Sequence, residues 1–191
     1  SGPIEMWCGG RGMAKLFGED FFDRSEKVDR VFKIIHEFTM AKYEALFKSE
    51  NKPLGLWVAA WRGIPSLMNR EMFLKYAWKY FVEYVQLCVD YGVLPVLHLD
   101  GCWDQGLDLL RELPARKCIA AFDGKTNILE AKSIAGDRMC IMGDLQAEKV
   151  AFSTPGNCYD YCMMLIKEMG DGFILAPGCD LPFNGKLENA Q

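Results

Sequence analysis

From Ser25 onward, apolar residues recur at intervals of three and four: Val28, Val31, Phe32, Ile35, Phe38 and Thr39. Lys27, Asp29, Lys33 and Glu37 fill the opposite positions. That period predicts an amphipathic helix with Ser25 as its N-cap, and it places His36 in the middle of a solvated helix. Asn51-Lys52-Pro53 breaks the pattern. Residues 54–61 are then short and continuously apolar, which predicts a buried strand. Asn69 caps a second helix whose stripe is Phe73, Tyr76, Ala77, Tyr80, Phe81, Tyr84 and Cys88, and Gly92 ends it.

Beyond Gly92 the pattern alternates with little waste. Strands are predicted at 93–98, 117–123, 138–144 and 172–177, and helices at 104–113 and 126–135. Thr154 followed by Pro155 reads as an N-cap with proline at the first helical position, opening a helix to Met169. Short apolar strands without alternation, separated by helices, predict an α/β fold with a parallel sheet buried on both faces. Five strands are visible. With no linker or internal repeat, the 191 residues read as one domain.

Composition narrows the function classes. Half the residues are hydrophobic and a quarter are charged, which excludes disorder and collagen-like structure. A net charge of −4 gives no electrostatic case for nucleic acid or an anionic membrane. No apolar run approaches the ~20 residues of a membrane span. The eight cysteines show no CxxC and no repeated spacing, and Cys118 and Cys140 lie inside apolar runs. With neither a basic nor an apolar leader at the start, the expectation is a cytoplasmic protein with reduced, mostly structural cysteines. Cys158 and Cys162, four apart on a helix, read as packing residues.

In parallel α/β architectures, functional side chains collect at the carboxyl ends of strands. Those ends carry Trp61-Arg62, His98 with Asp100 and Cys102, Asp123 with Lys125, Asp144, and Cys179-Asp180, whereas the strand interiors carry almost no ionisable residues. His98 and Cys179 form the sharpest pair, because imidazole nitrogen and thiolate sulfur are ligands zinc prefers. The plain alternative is a histidine bonded to a backbone carbonyl and a cysteine packed against the sheet.

Several of these segments resemble the uroporphyrinogen decarboxylase superfamily. VLPVLHLDG at 93–101 is similar to the family strand that ends in His-x-Cys-Gly. GDGFILAPGCDLP at 170–182, followed by Leu187-Glu188-Asn189, resembles its closing strand and Pro-x-Glu-Asn signature. RGMAKLF at 11–17, with SEKV at 25–28, is similar to its Arg-Gly-Met helix, and DRMCIMGD at 137–144 to its penultimate strand. The resemblance implies a TIM-barrel-like fold of which only the C-terminal part, about five of eight strands, is present. Residues 1–191 would then be a single domain cut from a larger barrel.

One branch of the superfamily decarboxylates a tetrapyrrole and carries a histidine after its last strand, where this chain has Gly178-Cys179-Asp180. The other branch comprises cobalamin-dependent methyltransferases, which hold zinc with His-x-Cys and a second cysteine in the final turn. Cys179 places the chain nearer that branch, and the resemblance implies zinc held by His98, Asp100 and Cys179. Asp100 stands where the family has cysteine, and Cys102 is the alternative ligand. The partner implied is a corrinoid protein that carries the methyl group. Asp123 and Asp144 would orient the substrate or the metal ligands, and Trp61 and Arg62 would bind the substrate, Arg62 through a carboxylate. Two other readings stand beside this one. They are a tetrapyrrole carboxy-lyase, and an inactive fragment or interaction module that self-associates through unpaired strand edges.

Overall fold

The computed structural model describes residues 2–180, so the motif at 187–189 lies outside the described residues. The chain divides into two compact units, residues 1–95 and 96–191.

The first unit is mostly helical. It contains α1 (Pro3–Arg11), α2 (Ser25–Lys48), β1 (Gly55–Ala60) and a helical run from residue 70 that ends in α3 (Lys79–Asp90). Its core is an aromatic cluster. Phe21 and Tyr76 lie 4.4 Å apart by ring centroids, and Phe32 meets Phe21 and Tyr76 edge-on at 6.2 and 6.0 Å. This is the stripe predicted from Phe73 to Cys88 packed against that of α2.

Three details of the α2 prediction are corrected. Ser25 is the first helical residue and caps nothing; Arg24 precedes the helix without a side-chain cap. Phe38 is 64% exposed, because a turn of about 100° per residue sets it beyond the edge of the buried line through Val28, Phe32, His36 and Thr39. His36 is buried, its Nδ1 3.0 Å from the Tyr84 hydroxyl and its Nε2 2.7 Å from a Glu83 carboxylate oxygen. Partners on α3 satisfy both ring nitrogens, so an imidazole expected in solvent belongs to the helix interface. The other cap predictions hold. Asn69 accepts from the Met72 N–H, and Thr154 accepts from the Asn157 N–H with Pro155 at the first helical position.

The arginine of the Arg-Gly-Met motif closes the first unit. Asp20 is 1% exposed, and its two oxygens accept from the Arg11 guanidinium Nε and Nη2, from Arg24 at 3.1 Å and from the Trp7 indole at 3.5 Å. The forked arginine pairing holds the Asp20 carboxyl down to about 2.

In the second unit, β2 (Leu94–Leu99), β3 (Ile119–Phe122), β4 (Cys140–Leu145) and β5 (Phe173–Pro177) pair in parallel. The register sets His98 beside Ala121 and Asp144 beside Ala176. At its first residue β2 also meets the β1 side, where the Leu94 N–H donates to the Leu54 carbonyl. With β1, five strands run in chain order in one sheet among the described residues. Between the strands lie a 3₁₀ segment (Asp104–Glu112), α4 (Ile128–Ala135), α5 (Ala147–Phe152) and α6 (Pro155–Met169).

The segment expected as an α-helix at 104–113 is therefore 3₁₀. Its leucines at 107, 109, 110 and 113 are all buried, as is Trp103 just before it. Leu97, Leu99, Ala120, Phe122 and Ile141, which the register sets on one face, are buried, whereas Val96, Ile119, Cys140 and Met142 on the other face are half-buried. The expected burial on both faces also fails at β1, where Trp57 is 49% exposed, and at β5, where Ile174 and Leu175 are each 39% exposed. Cys8, Cys88, Cys118 and Cys158 are buried as small hydrophobes, and Cys140 and Cys162 are half-buried. No helix among the described residues is long and apolar enough to cross a membrane.

Breaking the Asp20 hub leaves Arg11 without its forked acceptor. Asp20→Asn is expected to cost about 3 kcal/mol of stability at neutral pH, read from denaturant midpoints. The folded carboxyl lies below the ordinary 3.8 of an aspartate, so its contribution is complete above that value and lost as pH falls toward 2. The stability gap between wild type and variant is therefore expected to close between about pH 4 and pH 2. A gap that is constant over that range refutes the assignment.

Candidate metal centre and strand-end turns

The carboxyl end of β2 stops at Leu99, and the chain must turn with its amides satisfied elsewhere. Asp123, just past β3, provides the acceptor. Its Oδ2 takes the Gly101 N–H at 2.8 Å and its Oδ1 takes the Lys125 N–H at 2.9 Å. Thr126 locks the same turn, donating to the Gly101 carbonyl at 3.0 Å and accepting from the Trp103 N–H at 3.0 Å. The buried Trp103 indole donates to the Asp100 carbonyl at 3.0 Å. Asp100 is thus presented by a backbone fixed on both sides.

The turn after β5 approaches from the other direction. Gly178 donates its N–H to the Leu145 carbonyl at 2.9 Å and lies flat against the backbone of Asp123. A Cβ at Gly178 would meet the Asp123 carbonyl oxygen at 2.5 Å, so only glycine permits that approach, which carries Cys179 in beside the β2 end.

The result is one cluster. Ligand atoms of His98, Asp100 and Cys179 lie within 4.8 Å of one another. His98 is buried, with its Nε2 2.9 Å from Asp100 Oδ1, while Cys179 is exposed. Burial pushes the Asp100 carboxyl above the ordinary carboxylate range; His98 opposes the shift, and Asp123 and Asp180 add to it. The Cys179 thiol is also raised, first by partial desolvation and then by the charges of Asp100, Asp180 and Asp123, against a lowering hydrogen bond from the Asp180 backbone. Cys102, two residues past Asp100, is half-buried and stands outside the cluster.

The remaining sequence-predicted residues take different places. Asp123 has both oxygens committed to backbone amides, so it shapes the turn that bears Asp100. Asp144 is 2% exposed and accepts from the Tyr161 hydroxyl at 2.9 Å. Burial raises the Asp144 carboxyl, and the Tyr161 bond opposes the rise. Lys149 sits 4.7 Å over the Tyr161 ring. Trp61 and Arg62 belong to the first unit, where both donate backbone N–H groups to Glu5. Sequence reading missed Tyr161, Thr126 and Glu5. Tyr161 shares a helix with Cys158 and Cys162 and carries no motif, and Glu5 sits in an opening turn with nothing to mark it.

The solved structure of a methyltransferase from Methanosarcina mazei superposes with a TM-score of 0.72 at 17% identity. The match covers 99% of this chain and 54% of that one, so the chain spans about half the length of that protein. At this identity the likeness is one of fold: a TIM-barrel-like α/β architecture, of which this chain holds a part. No curated protein matches the sequence. The profile described as Uroporphyrinogen decarboxylase (URO-D) matches residues 4–191, nearly the whole chain, and the chain belongs to that family.

Proposed function

We propose that the protein belongs to a zinc-dependent methyltransferase that moves a methyl group between a small substrate and a corrinoid-carrying partner protein. The observation that carries this reading is the convergence of His98, Asp100 and Cys179 at the strand ends. The donor set fits zinc: an imidazole nitrogen, a carboxylate oxygen and a thiolate sulfur are three protein ligands, the number a catalytic site uses while keeping a fourth position open. Their donor atoms already lie within 4.8 Å of one another, so these three side chains would hold the ion without moving to a new part of the fold. Bound there, zinc supplies Lewis acidity toward the heteroatom that gives or receives the methyl group.

The chain's own residues prepare the site. Asp123 and Thr126 hold the Asp100 turn, so the carboxylate meets its neighbours without a search through loop conformations. Cys179 would hold the metal as its thiolate, and its exposure gives the thiol proton a path to solvent. An oxygen ligand in place of a second thiolate makes the centre harder, which suits substrates that present oxygen or nitrogen as well as thiols. At the end of β4, burial favours a proton on the Asp144 carboxyl, and the hydrogen bond from the Tyr161 hydroxyl opposes it. In the first unit, Trp61 and Arg62 give β1 an end suited to a carboxylate. The docking surface for the corrinoid partner is proposed on the same strand-end face as the cluster.

The name of the matched family favours a second reading, a tetrapyrrole carboxy-lyase. It predicts an absorbance change on titration with a polycarboxylate porphyrin in metal-free protein, whereas the methyltransferase reading predicts none.

Metal analysis tests the main reading. The purified chain is expected to carry about one zinc, lost in His98→Ala and in Cys179→Ala and kept in Cys102→Ala. Protein that stays metal-free at micromolar zinc sinks the proposal. Asp123→Ala, which frees the Gly101 and Lys125 amides, is expected to weaken zinc binding about 10- to 100-fold in competition with a chromogenic chelator. Unchanged affinity in a folded variant removes Asp123 from the site.

A further inference from the structure

At the end of β1 a single carboxylate oxygen gathers three consecutive backbone amides. Glu5 Oε1 accepts from the N–H of Trp61 at 3.0 Å, of Arg62 at 2.9 Å and of Gly63 at 2.9 Å. Glu5 is 5% exposed, in the first turn of α1. Successive N–H groups converging on one point form an anion-binding concavity, here filled from within the chain. Gly63 suits the crowding, since a Cβ there would meet the Ala77 Cβ at 3.1 Å.

The second Glu5 oxygen behaves differently. Oε2 is buried without a hydrogen bond and lies 3.6 Å from the Arg62 guanidinium Nη1. That separation is too long for a forked pair, so the carboxylate orients the guanidinium without taking up its donors. The Arg62 side chain keeps 37% exposure, and its guanidinium carbon sits 5.8 Å over the half-exposed Trp61 ring. A charged fork beside an aromatic face, both reachable from solvent, matches a ligand that carries a carboxylate on a planar apolar body.

We propose that Glu5 is a positioning residue that locks the turn at 61–63 and steers Arg62 toward the carboxylate of such a ligand. The inference rests on the reading of Trp61 and Arg62 as ligand-binding residues, and it adds the group that fixes them and the class of ligand they take. Glu5 itself touches no ligand; it acts through the backbone it holds.

Amide NMR of the full chain tests the positioning role, and benzoate, with neutral benzamide as control, probes the ligand. In the wild type, the Trp61, Arg62 and Gly63 amide protons are expected to resonate downfield, as charge-assisted donors do. In Glu5→Gln, a neutral side chain of the same shape, all three are expected to move upfield together and to exchange about tenfold faster. Val58 and Ala59 within β1 should stay protected. Glu5→Leu should lose the signature wholly.

Benzoate is expected to shift the Trp61 and Arg62 resonances of the wild type, about fivefold more weakly in Glu5→Gln and not at all in Arg62→Gln. Amides of 61–63 that do not move in Glu5→Gln overturn the positioning role. A signature that is present, with no benzoate response above benzamide, overturns the ligand assignment to Arg62. Zinc content of the same samples is read separately, so neither failure is confused with failure of the metal centre.

Discussion

A parallel strand leaves backbone amides without partners where it stops, and in this protein carboxylates take them up. Glu5 gathers three amides past β1, and Asp123 gathers one past β2 and one past β3. The Gly63 amide is buried and left alone would cost about 1–3 kcal/mol, and the Trp61, Arg62 and Gly101 amides are half-buried, so these acids serve the fold before they are parts of any site. The conformation of each strand-end turn follows from them. So does the placement of the side chains between: Arg62 in the first unit and Asp100 in the second.

This constraint explains why the strand ends are rich in ionisable residues. Ionisable residues after each of five strands read in the sequence as a functional face, yet the structure separates them by role. Asp123 spends its charge on backbone. Asp144 is buried and accepts from the Tyr161 hydroxyl. His98, Asp100 and Cys179 keep donor atoms within reach of one another, as a metal site requires. The glycine at 178 is what allows the third donor to arrive, because its missing Cβ lets the last turn lie against Asp123.

The two units also differ in how they are stabilised. The first is held by aromatic packing and by the Asp20 hub, in which two arginines and an indole meet one buried carboxylate. The second is held by its parallel ladder and by a leucine-rich 3₁₀ segment packed on α4. Neither arrangement depends on disulfides, in keeping with thiols that serve as small core residues.

Local chemistry was legible in the sequence wherever it acts between neighbours along the chain. Asn69 and Thr154 cap their helices because their partners lie three residues away, and strand positions followed from short apolar runs. The nearness of His98 to Cys179 was legible too, since one closes a predicted strand and the other follows the last strand of the same sheet. What tertiary structure alone decided involves partners far apart in sequence. His36 is buried because Tyr84 and Glu83 come to meet it, and Asp123 turns to backbone because Gly101 stands opposite. Glu5 finds three amides more than fifty residues away. Periodicity records which face of an element is apolar, but a polar side chain's role is set by what the fold brings within about 3 Å of it.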